Sequence, residues 1–462
     1  MLTYHMDGRG KLSRYDYLYR CIKDDILSGQ LKPGEKLPSK RTLAAHLNLA
    51  VVTVANAYAQ LVAEGYLYTR EKRGYFVSSV EADRVVRAQP EPEQESVGDS
   101  WLLDLWGSGS GTEGFPFSVW ARLTRRVLTD GGERLLRATP HNGVLELRQA
   151  IAQHLHQFRG ITVRPEQIVV GAGTEYLYNL LVQLLGRELV YGLEDPGYSK
   201  GKKIYTLNGA RCILFPVDDD GIPPEILEGS ECQVLHISPN HQFPTGVVTP
   251  ISRRQRMLRW AGEEKGRYII EDDYDSEFRF TGRPIPPLQN IDKEGCVIYI
   301  NTFSRSLVPS LRISYMVLPP SLLGQYQQKL GFYSCTVPAI EQYTLAHFLD
   351  EGYFESHINR MKVFYRNRRD QVIGAIQASS LAGRCQVLRS DAGLHFLLKL
   401  DTEQPDRILA EKAKAQNIRL SFLSDHQRLA NKAQEHTLVI NYSGLNPGRM
   451  ERGLEQIARL LD

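Results

Sequence analysis

Long apolar runs are missing from this chain of 462 residues. No stretch approaches the length needed to cross a bilayer, and Met1 to Lys11 holds no apolar core of the kind a secretory signal requires. Cysteine is sparse as well. The six cysteines (Cys21, Cys212, Cys232, Cys296, Cys335, Cys385) are scattered and no two stand at CxxC spacing, so neither a zinc site nor a disulfide framework is expected, and a reducing cytosol fits. No low-complexity segment dominates a composition that is 42% hydrophobic and 24% charged. These absences point to a cytoplasmic globular protein without a metal centre. Its length exceeds one ordinary core, so two or three domains are expected.

The net charge of +3 says little by itself, but its distribution is uneven. Residues 1–78 hold 12 Lys and Arg against 7 Asp and Glu, while the remainder holds 44 against 46, so the positive excess lies in the first segment. An appended nucleic-acid-binding module would look like this, and so would a solvated basic face; charge alone leaves both open.

The pattern within residues 14–78 decides between them. Leu18, Ile22 and Ile26 form a helical stripe from Arg14 to Ser28, stopped by Gly29. After the Lys32-Pro33-Gly34 turn, Ser39 is a good N-cap for a short helix burying Leu43, Ala44 and Leu47. A third helix over about 52–64 buries Val54, Ala57, Tyr58 and Leu61 and stops at Gly65. Strands over 66–70 and 74–78 follow, joined through Glu71, Lys72 and Arg73. Three helices and a basic-tipped hairpin make a winged helix-turn-helix. Ser39, Lys40 and Arg41 would meet phosphates, Thr53 and Asn56 would read base edges in the major groove, and Arg70, Lys72 and Arg73 would bring the wing to the minor groove or backbone. The runs from Gly29 to Ala44, Thr53 to Tyr58 and Glu64 to Leu67 resemble the GntR-type winged helix throughout, which implies double-stranded DNA as a partner.

From residue 79 to 100 the periodicity fades into a polar, acidic, proline-bearing run that reads as a linker, and ordered patterning resumes for a third segment, 101–462. There, short apolar runs alternate with helical segments, the pattern of an α/β fold with a mainly parallel sheet. Ligands of such folds bind beyond the carboxyl ends of the strands. Gly171 to Thr174 opens a helix reaching Leu185 and presents free N–H groups to an anion, although Gly-x-Gly turns are common. Asp272, at a strand end, could partner a cationic ring nitrogen or cap a helix, and Tyr198 could stack on a ring or belong to the core.

Together these segments resemble the pyridoxal 5′-phosphate enzymes of aminotransferase fold type I. The matching runs are 141–148, 194–198, 238–246, 271–280 and 302–312. With the head, the whole resembles the MocR family, regulators that pair a GntR-type module with this domain. The resemblance implies a phosphate cup of Ala172, Gly173, Thr174, Thr302, Ser304 and Arg312, with Tyr198 stacked on the pyridine, Asp272 on its ring nitrogen and Tyr274 on its phenolic oxygen. It also implies a homodimer that senses a small-molecule effector.

Two departures matter. The family pattern Thr-Phe-Ser-Lys puts a Schiff-base lysine where this chain has Arg305. A guanidinium, protonated at any accessible pH, neither condenses with an aldehyde nor shuttles a proton well. Transamination is therefore expected to be absent, and Lys200, Lys202 and Lys203 read as a solvated basic stretch before they read as a substitute. The C-terminal stretch from Leu438 to Tyr442 also lacks the arginine that often binds the substrate carboxylate. The expectation is a transcriptional regulator that holds pyridoxal phosphate non-covalently, with Arg305 as an added cation, or whose pocket has been repurposed. The competing class is an aminotransferase with an accessory DNA-binding module.

Overall fold

In the computed structural model, which describes residues 2–4, 6, 12–80, 101–107, 114–280, 282, 285–429 and 434–461, the chain divides between Gly98 and Asp99 into two units. The expected linker over 79–100 lies almost wholly outside the described residues.

The first unit contains α1 (Arg14–Leu27), α2 (Lys40–Leu47), α3 (Val51–Ala63), β1 (Leu67–Arg70) and β2 (Gly74–Val77), the two strands pairing antiparallel. Ser13 and Ser39 cap the first two helices, accepting from the N–H groups of Asp16 and Thr42 at 3.2 and 3.1 Å. The stripe of Leu18, Ile22 and Ile26 packs with Leu43, Val54, Tyr58, Leu61 and Val77 into one core. Gly29, at φ +79°, takes the left-handed turn that ends α1. Element ends fall within a residue of the expected ones, Glu64 acting as the C-cap of α3 rather than its last turn.

The strands of the second unit are, in chain order, β3 (Leu103–Asp104), β4 (Ile168–Gly171), β5 (Val190–Asp195), β6 (Arg211–Pro216), β7 (Val234–Ile237), β8 (Tyr268–Asp272), β9 (Val297–Thr302), β10 (Ser314–Val317), β11 (Cys385–Leu388), β12 (His395–Leu400), β13 (Ile418–Arg419) and β14 (Thr437–Asn441). Seven of them form the central sheet in the order β4-β10-β9-β8-β7-β5-β6. Helices α4 (Phe117–Gly131) and α5 (Leu145–His154) precede this sheet in the chain, while α6 (Thr174–Leu185) and α7 (Ser199–Leu207) follow β4 and β5. Every residue of β4, β7, β9 and β10 is buried, as expected of a sheet covered on both faces. The sheet is mainly parallel, and β10 alone runs antiparallel to its two neighbours. Strands β11, β12 and β14 make a separate antiparallel sheet, and β13 pairs with β3. The six cysteines are all free. No helix among the described residues is long and apolar enough to cross a membrane.

Candidate functional site

Parallel strands bring their carboxyl ends to one edge, and here that edge gathers the chemistry. Asp272 ends β8, Thr302 ends β9, and α6 begins three residues after β4. The reversed strand β10 contributes its amino end to the same edge, with Ser314 opposite both Gly171 and Thr302, so Arg312 arrives just before it. A cavity of about 270 Å³ opens there, lined by Thr174, Tyr198, Asp272, Tyr274, Thr302, Ser304, Arg305 and Arg312 among others. Eight of the ten residues expected at the ligand site therefore share one cavity.

Asp272 is buried, and the Tyr178 hydroxyl donates to its Oδ2. Its Oδ1 is buried without a hydrogen-bond partner among the described residues, as is the hydroxyl of Ser304. Buried polar atoms are nearly always paired, so two orphans lining one cavity mark a place for a ligand with hydrogen-bonding groups. An orphaned carboxylate oxygen and an orphaned hydroxyl suit the ring nitrogen and phosphate of pyridoxal phosphate.

The anion corner differs from expectation. Arg312 donates to Glu175 Oε2 at 2.7 Å, and Lys200 donates to Glu175 Oε1 at 3.2 Å. Lys200, one residue into α7, also lines the cavity, while its side chain stays solvent-exposed as expected. Gly173 takes φ +96°, a backbone conformation that side-chain-bearing residues rarely adopt, and it packs against the Arg312 guanidinium. The Thr302 hydroxyl lines the cavity but is committed: it accepts from Ser304 N at 3.1 Å and from the Ser314 hydroxyl at 2.7 Å, capping the short helix Phe303–Ser306. Ala172 lines a different cavity, and its N–H is taken by the Thr336 hydroxyl at 3.1 Å. The Ala172 N–H is thus engaged, whereas the Thr302 hydroxyl makes only a 3.5 Å donation, to the Ile313 carbonyl.

Arg305 lies half-buried between this cavity and a neighbouring one of about 290 Å³, and forms no hydrogen bond or ion pair with the described residues. Aromatic rings wall both. Phe243, to which the sequence assigned no role, stands at their centre, its ring 6.2 Å from that of Tyr198, 6.3 Å from Tyr274 and 5.4 Å from His426. Burial pushes the Tyr198 hydroxyl up to about 12, and burial with the charge of Asp275 raises Tyr274 far above its ordinary range. Both phenols are hydrogen-bond donors at neutral pH. Behind Tyr274, His241 donates to Asp275 at 2.9 Å, and His395 donates to the Pro244 carbonyl at 3.0 Å. Val439 and Asn441 are the residues that β14 brings to the second cavity, and neither is an arginine.

In the first unit Arg41, Asn56, Arg70, Lys72 and Arg73 are exposed, and Thr53 is half-buried one turn before Asn56. Lys40 lies 5.6 Å from the centre of the Tyr75 ring. The Ser39 hydroxyl is engaged in capping α2. Lys72, at φ +59°, forms the tip of the hairpin.

Residues 14–77 match the family described as bacterial regulatory proteins of the gntR family, and residues 108–457 match aminotransferase class I and II. The HTH-type transcriptional regulator YdeL of Bacillus subtilis is 36% identical over 447 residues, 96% of each chain. The probable rhizopine catabolism regulatory protein MocR of Rhizobium meliloti is 30% identical, over 98% of this chain and 94% of that one. Among solved structures, the α-aminoadipate aminotransferase LysN of Thermus thermophilus, complexed with N-(5′-phosphopyridoxyl)-L-leucine, is 26% identical. It aligns with a TM-score of 0.67 over 78% of this chain and 92% of its own. The chain belongs to the MocR-type transcriptional regulators, DNA-binding proteins in which a GntR-type winged helix-turn-helix precedes an aminotransferase-like domain.

Proposed function

We propose that the aminotransferase-like domain of this DNA-binding regulator holds pyridoxal 5′-phosphate without a covalent bond and works as a sensor, with no transaminase activity. One observation carries the reading: the cavity keeps an unpartnered Asp272 oxygen for a ring nitrogen, while position 305 offers a guanidinium in place of a primary amine. Bound pyridoxal phosphate supplies an electrophilic aldehyde. Asp272 would hold the ring nitrogen, Tyr198 the ring face, Tyr274 the phenolic oxygen, Arg305 the aldehyde oxygen or the phosphate, and Ser304, Thr174 and Arg312 the phosphate. Arg305 adds a charge-assisted donor and leaves the aldehyde unmodified.

Occupancy would be passed to the head, residues 1–78, through the linker over 79–100, with 101–462 serving as effector and dimer domain. Two heads per homodimer favour repeated operator half-sites, contacted by Lys40, Arg41, Thr53, Asn56, Arg70, Lys72 and Arg73. Acting on DNA, the protein works in the bacterial cytoplasm.

The test is a titration of the pure protein with pyridoxal phosphate, followed by absorbance and melting temperature, then borohydride reduction and mass spectrometry. Saturable stabilisation without an adduct is the expected result. An adduct on any lysine of the domain, or transamination of any amino donor, overturns it.

A further inference from the structure

Helix α3, which carries the base-reading candidates Thr53 and Asn56, has no ionic side chain. From Val51 to Ala63 it holds no lysine, arginine, aspartate or glutamate. Its first turn shows apolar surface instead: Val51 is 46% exposed and Val52 63%, while Val54, Ala57, Tyr58 and Leu61 are buried. We propose that this head reads thymine C5-methyl groups through Val51 and Val52 and adenine through Asn56, so that the core of its half-site consists of A·T pairs and takes no guanine contact from α3. The inference rests on α3 being the helix that enters the major groove, and it adds which bases that helix selects.

The two valines do not serve the fold. Branched side chains are mildly unfavourable in a helix, and at this exposure they return little burial. Ala50, the N-cap, has no polar side chain to place over the first turn. Residues four apart share a helix face, so Asn56 follows Val52 by one turn, and the small side chains of Ala55 and Ala59 continue the line of Val51. Gln60, next after Asn56, donates to Glu64 at 2.6 Å and is engaged within the head. In the major groove guanine is taken by bidentate cations, adenine by an asparagine or glutamine amide, and thymine presents a methyl group to apolar side chains. A helix with methyl groups and an exposed amide but no cation is matched to thymine and adenine. The cations expected to contact DNA lie on other elements, Lys40 and Arg41 opening α2 and Arg70, Lys72 and Arg73 in the hairpin, where they suit phosphates. A competing account treats the valines as ordinary scattered apolar surface. It predicts no dependence on the thymine methyl.

Deoxyuridine differs from thymidine only in lacking that methyl, so it reads the contact one group at a time. Duplexes selected by the full chain from a random pool should share a core of A·T pairs. Replacing single thymines by deoxyuridine in the selected duplex should weaken wild-type binding by about fourfold at one or two positions of each half-site, the effect of burying one methyl group. Val51→Ala or Val52→Ala should lose a similar factor on the thymine duplex and become indifferent to deoxyuridine at its own position. Both side chains are exposed, so the variants should melt with the wild type. Unchanged wild-type affinity with deoxyuridine at every thymine, or a selected core of G·C pairs, overturns the proposal. Should Asn56→Ala abolish the preference while deoxyuridine has no effect, α3 still enters the groove and the valines lose their part. Should Asn56→Ala and both valine variants leave the preference intact, α3 is not the reading helix, and its placement falls with the proposal.

Discussion

Tyr178 donates its hydroxyl to one oxygen of Asp272 and leaves the other, at the same cavity, without a partner among the described residues. The tyrosine is wholly buried, and burial together with the neighbouring carboxylate raises its pKa well above the ordinary value, so it stays a donor. The carboxylate is thereby fixed with one oxygen spent and one in reserve. Asp272→Asn should lower affinity for pyridoxal and pyridoxal phosphate alike, by about tenfold or more, because a charge-assisted hydrogen bond becomes a neutral one. Inorganic phosphate, which has no ring nitrogen, should bind as before. Equal losses for all three would remove Asp272 from the ring-nitrogen role.

Replacing Arg305 by lysine restores a primary amine between the two cavities. Arg305→Lys incubated with pyridoxal phosphate should give a borohydride-stable mass increment on residue 305, and the wild type none. A wild-type increment on Lys200, which also lines the cavity, would identify a substitute amine and revive the enzyme reading.

The head offers two classes of contact with separable signatures. Arg41→Ala and Lys72→Ala should weaken binding to every DNA sequence and each lower the salt dependence by about one unit of slope. Asn56→Ala should instead cost about 1–3 kcal/mol on the preferred site only. Fluorescence anisotropy against operator and random duplexes over a salt series distinguishes them. A uniform loss from Asn56→Ala would take it off the base edges.

Glu271 is fully buried at the end of β8, accepting from the N–H groups of Leu288 and Gln289 at 2.7 and 3.0 Å. Burial, with help from Asp273, pushes its pKa from 4.5 to about 7. The folded state therefore keeps this proton to higher pH than the unfolded chain does. Its stabilising contribution is complete below about 4.5 and is lost as pH rises through about 7. The slope in that window is at most about 1.4 kcal/mol per pH unit for one group. Urea unfolding between about pH 5 and about pH 8 should show stability falling with pH in the wild type, and a flatter dependence in Glu271→Gln. The variant starts lower, since an amide offers the two N–H donors only one acceptor. Identical slopes would mean that Glu271 does not titrate there.

The head was legible because its signals are local. Ser39 caps α2 by accepting an N–H three residues on, Gly29 stops α1, and the spacing of Leu18, Ile22 and Ile26 states a helix face. Asp272, Thr174 and Ser304 were legible for a related reason, since a parallel strand delivers whatever ends it to the carboxyl edge.

Other residues could not be read this way. Glu175 carries no local mark beyond that of an acidic first turn, and it becomes a site residue only because the reversed β10 brings Arg312 to face it. Lys200 is the exposed lysine the sequence suggested, yet α7 also sets it against the cavity, and Phe243 belonged to a matched run without a stated part. The same packing turned Ala172 to another cavity, its N–H taken by the Thr336 hydroxyl. By itself the sequence determined the winged head, the α/β order and the arginine at 305, all written in periodicity, turn chemistry or side-chain identity. Which cations are free and which polar atoms stay unpaired was decided only in the tertiary structure, because charge pairing depends on distances between residues far apart in the chain.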